Sequence, residues 1–73
     1  MNKLALCAVV AEGGARLVAF QDVMGTYRLE NQYGVTVARE KEFEEARELF
    51  EGLEREGWGE YMPGWEYALV ESA

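Results

Sequence analysis

Residues 40–56 read EKEFEEARELFEGLERE, and their periodicity decides the fold. Phe43, Ala46, Leu49, Phe50 and Leu53 recur at spacings of 3, 3, 1 and 3, which lines them up along one side of an α-helix. Glu44, Glu48, Glu51 and Arg55 take the opposite side. Glu40 and Glu42 suit the positive end of the helix dipole, and Arg55 suits the negative end. Gly57 supplies a left-handed stop, and Trp58 just beyond it is placed to fold back onto Leu53.

Upstream of this helix the hydrophobic period is 2 rather than 3.6. Residues 3–11 are apolar on both alternating sets, Leu4, Leu6, Ala8, Val10 and Ala5, Cys7, Val9, Ala11, as in a strand covered on both faces. Gly13 and Gly14 then turn the chain into a second strand over 15–22, making a hairpin. Met24-Gly25 opens a third strand at 26–30, where Tyr27 and Leu29 alternate with Thr26, Arg28 and Glu30. The turn Asn31-Gln32-Tyr33-Gly34 leads to a short fourth strand at 35–38, which alternatively reads as a bent continuation of the third.

Downstream, GWGEYMPGWEY (residues 57–67) is rich in glycine and aromatics, and Gly59, Pro63 and Gly64 keep the stretch before Trp65 irregular. Its aromatics divide into Trp58, Trp65 and Tyr67, expected to be largely buried, and an exposed tip at Tyr61-Met62-Pro63. Residues 65–71 alternate Trp65, Tyr67, Leu69 against Glu66, Ala68, Val70 and read as a closing strand. The predicted fold is α+β: an antiparallel sheet of four to five strands with one amphipathic helix packed on one face, in the order β-β-β-(β)-α-β, as a single small acidic domain over 1–73. One helix covers only part of such a sheet. The reading leaves the face of Cys7, Val9, Leu17 and Ala19 open for a second subunit or a partner.

Composition bounds the chemistry. The 73 residues contain no His, one Cys and one Ser, Ser72, so neither Ser-His nor Cys-His nucleophilic machinery can be assembled. A zinc site or an intrachain disulfide framework is excluded on the same count. Cys7, in an apolar run with no neighbouring base, reads as a buried, unreactive thiol of a reduced, cytoplasmic protein. The apolar run 4–11 is too short to cross a bilayer, which takes about 20 residues. Nothing in this pattern implies a metal, a cofactor or membrane association, and the chain reads as a non-enzyme.

Charge is the strongest functional signal. Residues 40–73 hold eleven acidic and three basic side chains, whereas 1–39 hold three and four, so the net charge of -7 divides into -8 and +1. Lys3, Arg16, Arg28 and Arg39 are scattered in sequence and the overall charge repels phosphate, which argues against direct nucleic-acid binding. Carboxylates spaced along a helix can instead occupy a basic groove of a nucleic-acid-handling protein. In size and charge the chain is like the small acidic proteins with which phages and mobile elements block CRISPR effectors or RNA polymerase, although no family motif accompanies that likeness.

The functional expectation is therefore a non-catalytic protein-binding module for a partner with a basic surface. Its contact residues are expected to be Glu44, Glu48, Glu51, Glu54, Glu60, Tyr61 and Met62, an acidic helix face beside an aromatic loop. Two alternatives come from other classes. One is a structural homodimer joined through the open sheet face or a sheet edge. The other is a small enzyme working through surface carboxylates with Tyr27 or Tyr33 around a cleft.

Overall fold

A computed structural model of the chain describes residues 4–72. Five strands and two helices follow in the order β1 (Ala5–Val10), β2 (Arg16–Gln21), β3 (Tyr27–Asn31), β4 (Thr36–Glu40), α1 (Phe43–Arg55), β5 (Glu60–Pro63) and α2 (Gly64–Ser72). The sheet is antiparallel throughout, with spatial order β4-β3-β2-β1-β5. This is the expected α+β class with the expected order of strands around α1. α1 carries the chain from the β4 edge to the opposite edge, where β5 joins β1.

The first four strands form a meander because each connection is the same short device. Ala11, Asp22 and Asn31 each donate their N–H to the carbonyl four residues on and accept from the N–H three residues on, closing a three-residue loop. Each loop ends on a glycine at positive φ, Gly14, Gly25 or Gly34, which lets the strands re-pair without a side-chain clash. Asn31 adds its side chain, whose Oδ1 accepts from the N–H groups of Tyr33 and Val35 at 2.9 and 3.1 Å. The fourth strand is therefore a separate element. Its register slips beside Leu29 and Glu30, leaving a bulge at Val37.

Each sheet face has its own helix. On one face Cys7, Val9, Ala19 and Leu29 pack with Ala46 and Phe50 of α1, flanked by Leu17, Ala38, Phe43, Leu53 and Tyr61. On the other, Ala8 and Val18 pack with Met62 and with Tyr67 of α2, flanked by Ala5, Val10 and Phe20. This corrects the expected face: Cys7, Val9, Leu17 and Ala19 lie under α1 rather than on an open surface. Both alternating sets of β1 are apolar, so parity alone carries no information about which set meets a helix.

The second correction concerns 65–71. This segment is helical rather than a strand, and the closing strand is the shorter β5. Glycines bracket β5: a methyl group on Gly59 would sit 2.7 Å from the Val10 carbonyl oxygen, and one on Gly64 would sit 2.2 Å from that of Ala5. Their bare backbones let β5 lie against β1 at both ends. Tyr61 and Met62 are thereby strand residues, half-buried and 7 % exposed, not an exposed loop tip. Tyr67 is buried as expected, but Trp58 and Trp65 are 40 % and 69 % exposed.

Candidate functional site

α1 begins after Glu42, whose extended backbone makes it the N-cap although its side chain caps nothing, and its first turn carries Glu44 and Glu45. Glu40 falls outside the helix, at the end of β4. The helix end is capped by the main chain: Gly57, at φ 82°, donates to the Glu54 carbonyl, and Trp58 donates to that of Leu53. These are the two bonds of a Schellman motif, so the expected stop at Gly57 is present.

The core stripe fixes which way the carboxylates point. Ala46 and Phe50 are fully buried, and Glu42, Glu44, Glu45, Glu48, Glu54 and Glu56 are exposed. Of the ion pairs that spacing permits along residues 41–55, Glu44 with Arg47 closes at 2.7 Å. Among the described residues none joins Lys41 to Glu45 or Glu51 to Arg55. Glu45 instead lies beside Glu40, whose carboxyl is pushed above its ordinary range first by that neighbour and then by burial. Repulsion on this face is thus only partly relieved.

Leu49 departs from the stripe. It is 41 % exposed and, with Glu48, Gly52, Leu53, Arg55 and Glu56, lines a shallow open depression. Gly52 makes the gap, because a side chain there would meet nothing closer than the Arg55 guanidinium at 3.7 Å. The result is an apolar floor of Leu49, Gly52 and Leu53 with charged sides, Glu48 and Glu56 together with Arg55. Neither Leu49 nor Gly52 was singled out by sequence as a contact residue; a glycine in mid-helix was the available signal.

The remaining expected contact residues are differently placed. Glu51 is half-buried at the flank of α1, near Cys7 and Tyr61. Glu54 is exposed, yet its Oε2 accepts the Tyr61 main-chain N–H at 2.9 Å. Glu60 is exposed at the start of β5, opposite Val10. Tyr61 presents its hydroxyl to the Cys7 sulfur inside the α1 core, and Met62 faces α2. Burial is the main cause that pushes the Cys7 thiol up to about 11 and the Tyr61 hydroxyl up to about 12, so both stay protonated at neutral pH.

Register also gathers bases that are scattered in sequence. Arg28 and Arg39 are cross-strand partners, Arg28 pairs with Phe20, and Arg16 shares their sheet face. That face is the one opposite α1. Two of its arginines are ion-paired there: Arg28 donates to the buried Glu30 at 2.6 Å, and Asp22 pairs with both Arg39 and Arg28. The Arg39 hydrogen bond is the leading reason that Asp22 sits below the usual carboxylate range. Arg16 lies over the Tyr67 ring, 5.9 Å from its centroid.

Among the described residues no cluster of three or more His, Cys, Asp or Glu is disposed to hold a metal ion, and no helix is long and apolar enough to cross a membrane. No protein-family profile, curated protein or solved structure matches the chain.

Proposed function

We propose that the chain is a non-catalytic protein-binding module whose acidic α1 face meets a basic surface of a partner protein. One observation carries this reading: α1 exposes Glu44, Glu45, Glu48 and Glu56, the last two beside Leu49, Gly52 and Arg55 in the shallow depression, and among the described residues one closed ion pair, Glu44 to Arg47, lies along its length. Core packing accounts for the buried stripe. It gives no reason for the surplus of carboxylates on the far side.

Electrostatics favours a partner that handles nucleic acid. Glu44 and Glu48 are one turn apart, about 6 Å along the helix, and they present charge at intervals comparable to a few phosphate steps. A basic groove built for phosphates would steer this face in, while an apolar side chain at its rim could seat against Leu49. Occupying such a groove blocks it, which is how a small inhibitor of the phage or mobile-element kind would act. Association would be fast at low salt and weaken as salt rises.

The test uses a partner captured from the native host and measures its affinity for Glu44→Lys, Glu45→Lys, Glu48→Lys together. Those three side chains are exposed, so the fold should survive, whereas Glu51 is half-buried and is left alone. A loss of at least about tenfold is expected, of the size of one displaced interface charge pair. Unchanged affinity at low salt would remove the acidic face from the function.

A further inference from the structure

We infer that Gly52 marks a helix-crossing site on α1, where an amphipathic helix of the partner, with lysines or arginines beside its apolar stripe, lies across the acidic face. The inference rests on the reading of that face as a partner surface and names the element that meets it. Gly52 is the one glycine of eight for which the fold shows no use. Five of the others hold positive φ, and Gly59 and Gly64 lie too near the β1 backbone to carry a side chain. Gly52 sits inside a helix at ordinary φ, and a methyl group there would meet only the Arg55 guanidinium, at 3.7 Å. Glycine is a poorer helix residue than alanine, so its presence here weakens α1 with no return inside the chain. Close approach from outside gives the bare backbone a reason.

The shape of the depression suits a helix. Glu48, Gly52 and Glu56 form one row of the α1 surface at a spacing of four, and Leu49 and Leu53 belong to the row beside it. Gly52 interrupts the first row. The resulting notch opens onto Leu49 and Leu53 and is closed at either end by a glutamate, the two lying about 12 Å apart along the axis. Rows of this kind receive the ridges of a second helix, and a missing side chain lets the two axes come closer. An extended segment would fare worse, because the α1 main chain is bonded within its own helix and offers nothing to strand N–H and C=O groups that lose water. A helix arrives with its backbone already satisfied.

Charge selects the chemistry of the incoming helix and disfavours a second copy. Residues 42–56 hold seven glutamates and two arginines. Two copies of α1 crossing at Gly52 would set Glu48 and Glu56 against their own kind. A lysine or arginine on each side of an apolar stripe reaches those two carboxylates instead, while the stripe covers Leu49, which is 41 % exposed. Arg55 is outnumbered on the rim, and it is exposed, so its long side chain can swing outward as the helix enters.

The probe is a synthetic peptide of about 18 residues, long enough to form a helix, with leucines at i, i+3, i+4 and i+7 and lysines on both flanks. A control of equal charge carries two prolines at its centre and cannot form that helix. Calorimetric titration onto the full chain at low salt should show the helical peptide binding at least about tenfold more tightly than the control. Gly52→Ala should weaken the helical peptide at least about tenfold while melting above the wild type, so the loss is not one of folding. Equal affinities for the two peptides overturn the inference, and so does a Gly52→Ala variant that binds the helical peptide as the wild type does. Glu44→Lys, Glu45→Lys, Glu48→Lys together separates this failure from that of the acidic face: if it abolishes binding of both peptides while Gly52→Ala changes neither, the face stands and the helix crossing falls.

Discussion

The Glu54 carboxylate accepts the main-chain N–H of Tyr61 at 2.9 Å, fastening the last turn of α1 to the start of β5. One of the helix glutamates therefore works for the fold. Glu54→Ala leaves that N–H to solvent and should cost about 0.5 to 1.5 kcal/mol in urea denaturation, whereas Glu54→Gln keeps an acceptor and should lose less. Equal losses for the two would mean that the bond does not contribute.

The glycines of residues 52–64 make opposite predictions from one motif. Gly52 has helical backbone and open space, so Gly52→Ala should stabilise the chain by about 0.5 to 1 kcal/mol and partly fill the Leu49 depression. Gly64 has no room, since its new methyl would stand 2.2 Å from the Ala5 oxygen. Gly64→Ala must therefore push β5 and α2 away from β1 and should cost about 2 kcal/mol or more. Thermal melts of the pair, run side by side, check the sign of each.

The legible parts of the fold are those written by local chemistry. The stripe Phe43, Ala46, Phe50, Leu53 has a helical period and one polar side, and each hairpin carries its own loop glycine, so α1 and the meander could be read directly. The segment 65–71 could not, because Trp65, Tyr67 and Leu69 alternate as in a strand while Trp65 and Leu69 are also one helical turn apart. Seven residues cannot separate those periods. The Arg28 and Arg39 pairing was hidden for another reason: it depends on the register past the Val37 bulge, which is long-range information. Likewise the acidic face was visible, but the apolar gap at Gly52 and the tying of Glu54 to β5 needed coordinates.

Tyr67 offers a test of burial against hydrogen bonding. Its hydroxyl is buried without a closed hydrogen bond, although the Glu71 carboxylate is close, while its ring fills the core beneath α2. Tyr67→Phe keeps the ring and removes the desolvated oxygen, so it should be neutral or stabilising by up to about 1 kcal/mol. Tyr67→Ala empties the second core and should cost about 3 kcal/mol or more. A loss above about 1 kcal/mol for the Phe variant in equilibrium denaturation would show that the hydroxyl is bonded in solution.

Stability at alkaline pH should depend on the same buried groups. Burial leads the causes that push Cys7 from 9.0 to about 11 and Tyr61 and Tyr67 from 10.0 to about 12, so each group binds its proton more tightly folded than unfolded. Their contributions are fully present below the unfolded values and vanish as pH rises through the folded ones. The melting temperature should therefore vary little with these groups up to pH 9 and then fall steadily towards pH 12. Cys7, which has no exposed surface, should account for on the order of 2 kcal/mol of that loss. In Cys7→Ala the thiol term is gone, so the decline should start nearer pH 10, where the tyrosines begin to ionise in the unfolded chain. Identical pH profiles for the two proteins would show that the thiol does not titrate in the unfolding equilibrium, and that the Cys7 sulfur is reached by water in the folded state.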